Sequence, residues 1–379
     1  MKIAVLKEGG SETRVAAIPE TVKKFAGLGA TIAIEKGAGG AASISDAEFE
    51  AAGATTGTRD DVLKDADLIL CVIGPEPGTL KGAKQGALLV GALDPIKRRD
   101  GVEAYAAAGL EALAMEWMPR ITRAQSMDIL SSQSNLAGYK AVVDAASLYG
   151  RAFPMMMTAA GTIHPAKAFV MGVGVAGLQA IATARRLGAR VEAYDVRPAV
   201  KEQIQSLGAK FVELPLESTG AEDKGGYAKA QDEAFYQKQR QLMAKSVAAA
   251  DMVITTAAIP GKKSPVLITA DAVKGMRPGS VIVDLAAERG GNCELTRADE
   301  TVVAHGVTIL GPTNLAAEVP YHASQMYSKN ILTFFASVVK DGKIAIDLGD
   351  EVVRDTLVTR DGQIVNERIK SLIAPAPVK

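Results

Sequence analysis

The sequence predicts an α/β fold of two doubly wound parallel-sheet domains in tandem. Apolar runs of strand length alternate with helical patterns from the first residue, and a second series of the same kind begins at Lys167. Two long proline-free helical stretches, 127–151 and 324–343, stand at the junctions. Such alternation makes parallel sheets with helices on both faces, because each parallel pair needs a crossover and a helix supplies it.

In the first series 2–6, 30–35, 67–72, 86–90 and 110–115 read as strands, with helical stretches over 20–28, 46–52 and 97–108 between them. In the second, 168–171, 190–194, 211–213, 252–256, 280–284 and 307–310 read as strands. The stretch 127–151 carries apolar residues at helical spacing and is expected as a long helix leaving the first domain for the second; 324–343 is expected to return. Two crossings of this kind place a cleft between the domains, which are drawn as 1–126 with 324–379 and as 127–323. The tail reads as a hairpin of IAIDLGD and VVRDTLVTRDGQIV with Asp361-Gly362 as a turn signal, followed by a proline-rich end, APAPVK. One segment breaks the pattern: 217–241 is polar and charge-dense with Gly226-Tyr227 in its middle, where a short connection is expected. It is either a disordered stretch or a functional lid.

Composition limits the function. The 379 residues suffice for two cores at 48% hydrophobic content. Lys plus Arg and Asp plus Glu both number 43, so no net field draws in nucleic acid or an anionic membrane. The start MKIAVLKEGG lacks a basic segment before an apolar run, and no stretch of about 18 uncharged apolar residues occurs, so a cytoplasmic chain is expected. Cys71 and Cys293 are too few for a disulfide framework and stand at no metal-ligand spacing; buried, reduced thiols are expected.

The strongest motif is FVMGVGVAGL, 169–178, an apolar strand running into Gly172, Gly174 and Gly177. A helical pattern follows it, then the strand RVEAYD, ending in Asp195 at 195 − 172 = 23 residues past the first glycine. That context makes GxGxxG a Rossmann-like dinucleotide fingerprint. Gly172 permits the tight turn, Gly174 lets backbone approach a pyrophosphate, and Gly177 lets helix and strand pack closely. Val173, Val175 and Ala176 lie between them, and the helix amino end supplies donors and positive dipole. Asp195 would take the adenosine ribose hydroxyls and repel a 2′-phosphate, favouring NAD; Arg197, beyond Val196, either binds such a phosphate or pairs with a neighbouring acid.

A second polar cluster, PRITRAQSMDILSSQSN, 119–135, holds Arg120, Arg123, Gln125, Ser126, Asp128 and Ser131 directly before the connecting helix. Ser126 or Asp128 would cap that helix. Capping leaves an arginine, a glutamine and a second serine to bond a carboxamide or phosphate. Of the three histidines, His164 precedes the glycine loop, His305 sits in a turn before a strand and His322 starts the last long helix. None falls at the strand ends of the first domain, and no hydrolase spacing appears.

The motifs RAQSMDILSSQSNLAGYKAV, FPMMMTAAGTIHPAKAFVMGVGVAGLQAIATARRLGA, TTAAIPGKKSPVLIT and MRPGSVIVDLAAERGGNCELT closely resemble the NAD(H)-binding component of proton-translocating nicotinamide nucleotide transhydrogenases, their alpha-subunit domain I. The likeness runs over essentially the whole chain. Alanine dehydrogenases share the plan, and RVAAIP with it. They differ in carrying a first-domain lysine and histidine where this chain reads LILCVIGPEP and LLVGALDP, an aspartate where it has Glu288, and no long segment around Gly226-Tyr227.

The resemblance implies direct hydride transfer from NADH on this chain to NADP bound by a partner domain or subunit. It also implies a homodimer, and peripheral placement on the inner membrane through membrane-spanning subunits. By motif it implies that Arg120, Gln125, Ser126, Met127, Asp128, Leu130 and Ser131 position the nicotinamide and phosphates, and that Asp195, Val196 and Arg197 hold the adenosine end. Gly226, Tyr227 and Gln239 would form a lid, and Ala258 and Ile259 would line the ribose side. An alanine dehydrogenase-like enzyme, with Arg14 as carboxylate binder, is the alternative.

Overall fold

The protein is described by a computed structural model covering residues 1–215, 231–259, 262–340 and 342–373. The chain divides into two compact units, Met1–Gln133 with Ala317–Lys379, and Ser134–Ala316.

Unit 1 opens with β1 (Lys2–Val5), α1 (Pro19–Gly27), β2 (Thr31–Glu35), α2 (Asp46–Ala51), β3 (Thr55–Gly57), α3 (Arg59–Leu63), β4 (Leu68–Ile73), β5 (Leu88–Ala92), α4 (Arg99–Ala107) and β6 (Glu111–Ala114). The six strands pair in parallel in the order β3-β2-β1-β4-β5-β6. Their apolar runs are buried on both faces, as a helix-covered sheet requires. Pro19 sits in the first turn of α1, where its missing N–H is no loss; Ser45 and Glu48 close a capping box on α2. The short edge strand β3, Thr-Thr-Gly, lacks the apolar run that marks the others and was not foreseen.

The helix α5 (Ile129–Leu148) carries the division between units inside it, at 133/134. Beyond that point it belongs to unit 2, where Ala141, Val142 and Ala145 are buried in the core. The chain continues through an antiparallel hairpin, β7 (Met156–Thr158) with β8 (Gly161–Ile163), whose residues are all exposed. It then runs through β9 (Lys167–Met171), α6 (Val175–Arg186), β10 (Arg190–Tyr194), α7 (Lys201–Ser206), β11 (Lys210–Phe211), α8 (Glu233–Ala249), β12 (Met252–Thr255), α9 (Ala270–Lys274), β13 (Val281–Asp284), β14 (Thr301–Ala304) and β15 (Val307–Leu310). The sheet order is β11-β10-β9-β12-β13-β15-β14. All pairs are parallel except β14 with β15, an antiparallel edge hairpin whose first strand the sequence pattern did not reveal. Of the segment 217–241, residues 217–230 lie outside the described residues. The remainder from Glu233 is the first half of α8, with Asp232 as its cap accepting from Phe235 N at 2.7 Å, so that stretch is helix and not loop.

The chain re-enters unit 1 at 316/317, and α10 (Pro320–Val338) belongs to that unit over its whole length. It starts at Pro320, earlier than expected, and buries Tyr327, Ile331, Phe334 and Phe335 with Val22, Phe25 and Ile34. The tail holds β16 (Val339–Lys340), β17 (Lys343–Ile344), α11 (Glu351–Thr356), β18 (Thr359–Arg360), β19 (Gln363–Ile364) and α12 (Glu367–Ile373). The expected pairing of IAIDLGD with VVRDTLV is corrected. Asp350 caps α11 by accepting from Val352 N at 2.8 Å, and this helix start overrides the strand preference of the paired valines. The Asp361-Gly362 turn does join β18 to β19, both residues at positive φ. The stretch 374–379 lies outside the described residues.

Within unit 2, α5 passes so close to the start of α6 that a Cβ on Gly138 would stand 2.1 Å from the Ala176 carbonyl oxygen. Gly138→Ala must therefore push two helices apart and is expected to lower stability by about 1–3 kcal/mol. A shift of the urea midpoint checks it; an unchanged midpoint would show that α5 yields freely there.

Candidate nucleotide site

The glycine loop joins β9 to α6. Gly172 has φ +89, a left-handed conformation that a side chain resists, and its Cβ would lie 2.7 Å from Ala257 N. Gly177 packs harder still, since a Cβ there would fall 2.0 Å from the Gly172 carbonyl oxygen. Gly174 differs: a Cβ would meet nothing within 4 Å, so this glycine leaves open space above the loop. The first-turn amides of α6, from Val175, Ala176 and Gly177, have no acceptor inside the helix and carry the positive end of its dipole. An open glycine beside such amides fits the pyrophosphate of a dinucleotide.

Asp195 stands at the end of β10 and is 7% exposed. Its Oδ2 accepts from Val173 N of the glycine loop at 2.7 Å. Its Oδ1 accepts from Arg197 N at 2.9 Å, and the Arg197 guanidinium binds both oxygens, Nε and Nη2 each at 2.9 Å. Arg197 Nη2 also donates to the Val173 carbonyl at 3.1 Å. Four donors thus fill about the four acceptor positions a carboxylate owns. A ribose diol can bond Asp195 only after the guanidinium leaves, and until then the charge that would repel a 2′-phosphate is paired. Of the two roles the sequence left open for Arg197, pairing with the acid is the one observed here.

Neighbouring loops are tied to this turn. Thr256 Oγ1 donates to the Gly172 carbonyl at 2.8 Å. Asn292 clamps the backbone of Ala257 in both directions, accepting from its N–H and donating to its carbonyl, each at 2.9 Å. Asp284, fully buried at the end of β13, accepts from Thr255 Oγ1, Thr296 Oγ1 and the amides of Ala286, Asn292 and Cys293. Thr256, Asn292 and Asp284 were not singled out from the sequence. The signal available was VDLAAERGGNCE, an acid at a strand end followed by two glycines, both at positive φ in the structure. Ala258 and Ile259 follow this clamp; Ala258 is exposed and Ile259 half-buried.

Gln239 is corrected from lid to core. It lies on α8, 1% exposed, and donates to Tyr194 Oη at 3.0 Å; burial raises the Tyr194 hydroxyl to about 12. Gly226 and Tyr227 lie outside the described residues. Val196, between Asp195 and Arg197, is half-buried against the core beside Met243 and Val247.

In unit 1 the second polar cluster resolves into different roles. Asp128 caps α5: its Oδ1 accepts from Ser131 N at 2.9 Å and its Oδ2 from Ser131 Oγ at 2.6 Å. Met127 is 5% exposed, with its side chain in the unit 1 core. Arg120, Gln125, Ser126 and Leu130 are exposed. Arg123 is ion-paired with Asp350. Arg14 is 6% exposed, doubly bonded to Glu12 at 2.7 Å and donating to Gln133 Oε1 at 2.8 Å. Of the histidines, His164 precedes β9, His305 occupies the β14–β15 turn at φ +52 and His322 lies in α10. Both cysteines are free and buried.

A sheet in this strand order, with a glycine turn at its first crossover and an acid ending the second strand, defines a nucleotide-binding α/β unit. Residues 4–137 match the family model described as alanine dehydrogenase/PNT, N-terminal domain, and 141–367 match its C-terminal domain counterpart. The chain belongs to the alanine dehydrogenase/PNT family. It is 53% identical over 376 residues to the first portion of the NAD(P) transhydrogenase alpha subunit of Rhodospirillum rubrum, covering 97% of this chain and 98% of that one. Alanine dehydrogenase of Mycolicibacterium smegmatis is a more distant relative, 28% identical over 95% of this chain and 93% of its own. Among solved structures, transhydrogenase from Sinorhizobium meliloti superposes with TM-score 0.88 at 48% identity, over 96% of this chain and 100% of that one.

Two further carboxylates end strands in unit 1. Glu8, beyond β1, accepts from Val72 N at 2.6 Å and Ile73 N at 3.2 Å; Glu116, beyond β6, accepts from Asp94 N at 2.6 Å and Leu93 N at 3.0 Å. Burial pushes both carboxyls up to about 7 from 4.5, against the pull of those amides. An acid whose folded pKa exceeds its unfolded value makes the folded chain bind more protons, so stability falls as pH rises between these two values. Glu116→Gln, which keeps a neutral acceptor in place, is expected to flatten the fall in urea midpoint between about pH 4.5 and about pH 7. A variant with the unaltered slope would show that Glu116 is ionised throughout.

Proposed function

We propose that this chain is the NAD(H)-binding component of a proton-translocating transhydrogenase. Hydride then passes directly between NADH at the glycine loop and NADP+ held by a partner domain or subunit. The observation that carries the reading is the glycine turn with Asp195 bonded beneath it, at the crossover where α6 presents its amides to open space. The relatives of nearly full length named transhydrogenase subunit alpha support it.

A dinucleotide held at the glycine loop would supply a hydride, passed as such to the second nicotinamide with no proton exchanged. The residues here have only to bind, orient and exclude water. In this reading Gly172 to Gly177 receive the pyrophosphate, and Asp195, Val196 and Arg197 receive the adenosine ribose. Carried over by motif, exposed Arg120 and Gln125 address the nicotinamide end, with Asp128 and Ser131 fixing the start of α5 beside them. Gly226 and Tyr227 close over the nucleotide, and Ala258 and Ile259 line its ribose. A homodimer belongs to the same proposal, supported by the exposed apolar hairpin that carries Met155, Met157 and Ile163 at 57%, 77% and 43% exposure. Peripheral attachment at the cytoplasmic face of the inner membrane through partner subunits is likewise proposed. Among the described residues no helix is long and apolar enough to cross a membrane.

The test is NADH oxidation by the purified chain in two mixtures. Turnover is expected with NADP+ and an NADP-binding partner domain, and not with pyruvate and ammonium. Turnover in the second mixture would make the chain an amino-acid dehydrogenase and sink the proposal. In the competent mixture Arg120→Ala should lower hydride transfer more than it weakens NADH binding; equal losses would reduce Arg120 to an anchor.

A further inference from the structure

At the opposite, amino-terminal edge of the unit 2 sheet lies an open cavity of about 440 Å³. The strands begin there with charges. Lys167 opens β9 and Arg190 opens β10, and the two are direct register partners on adjacent parallel strands. Asp251 precedes β12 and Arg277 precedes β13; Arg151 reaches in from the end of α5. Four cations thus line one cavity against a single buried carboxylate.

That carboxylate is already committed. Asp251 accepts from Lys167 N at 2.9 Å and pairs with Arg277 at 3.3 Å and Arg151 at 3.9 Å. Neither the Lys167 ammonium nor the Arg190 guanidinium has a hydrogen bond or ion pair to a described residue, although they stand side by side. Both residues are exposed to solvent; like charges directly across a strand pair repel, and an anion shared between them lowers that repulsion. The fork-shaped donors of Arg151, Arg190 and Arg277 suit the oxygens of a phosphate better than a single carboxylate. Tyr149 also lines the cavity, with Arg151 5.8 Å from its ring centroid, and the volume exceeds that of a bare inorganic ion.

We propose that this cavity is a second anion site, which takes a phosphate monoester carried on an organic body. It is formed by the first residues of β9 and β10 and lies at the sheet edge away from the glycine loop. A free metabolite and a phospholipid headgroup present the same chemistry, so two probes are needed. Titration calorimetry with glycerol 3-phosphate at constant ionic strength should show saturable binding by the full chain. Arg190→Ala and Lys167→Ala should each weaken it about ten-fold, and Arg190→Lys should recover some of the loss. Cosedimentation with phosphatidylcholine vesicles containing phosphatidic acid, lost in the same two variants, would support the site with a headgroup as its source. NADH binding, measured in parallel, should be unchanged in both variants, which separates this site from the glycine loop. If the unaltered chain binds neither probe saturably, or if both substitutions leave binding as it was, the proposal is overturned.

Discussion

Unit 2 depends on one carboxylate. Asp195 bonds the Val173 amide, so the end of β10 holds the glycine turn that ends β9. The turn is then pressed from the other side by Gly177 and Thr256, which crowd or bond the Gly172 carbonyl. A loop fixed on both sides keeps its remaining amides directed outward at no cost in ordering when an anion arrives. The same carboxylate holds Arg197, so under the proposed function an incoming ribose would compete with that guanidinium for one group.

The device recurs. Parallel strands end with amides that the ladder does not use, and here buried acids collect them. Asp284 gathers the loop that contains Asn292, and Asn292 in turn holds Ala257 against the glycine turn. In unit 1, Glu8 and Glu116 each reach to the end of an adjacent strand. The settings differ in the number of donors. Asp284 has five among the described residues and Glu8 has two; burial pushes the carboxyls of Glu8 and Glu116 up to about 7.

Strands built on apolar runs were legible in the sequence because burial on both faces demands them; β4 and β5 are apolar throughout, and β1, β9, β12 and β13 are so except for one terminal residue. Of the edge strands, β6 and β11 were also read from the sequence, but β3 and β14 were not. β3 is Thr-Thr-Gly and β14 alternates exposed and half-buried residues, so neither carries the signal of a central strand. The glycine loop and Asp195 were readable as a unit since each residue answers a local steric or charge requirement. The polar cluster at 119–135 was readable only as polar. Whether Asp128 caps a helix, Met127 fills a core or Gln125 faces solvent depends on helix phase, and residue type alone does not set it. Gln239 failed for the same reason: a charged neighbourhood suggested a loop, while Met243 and Val247 one and two turns on bury that face of α8.

Competition between Arg197 and ribose for Asp195 would set the choice of nucleotide. It is probed most directly by titrating NADH and NADPH against the unaltered chain, Arg197→Ala and Asp195→Asn. Arg197→Ala is expected to widen the preference for NADH, by freeing a charged acceptor that repels a 2′-phosphate, and Asp195→Asn to narrow it. An unchanged preference in both variants would refute the competition and place nucleotide selection outside this pair.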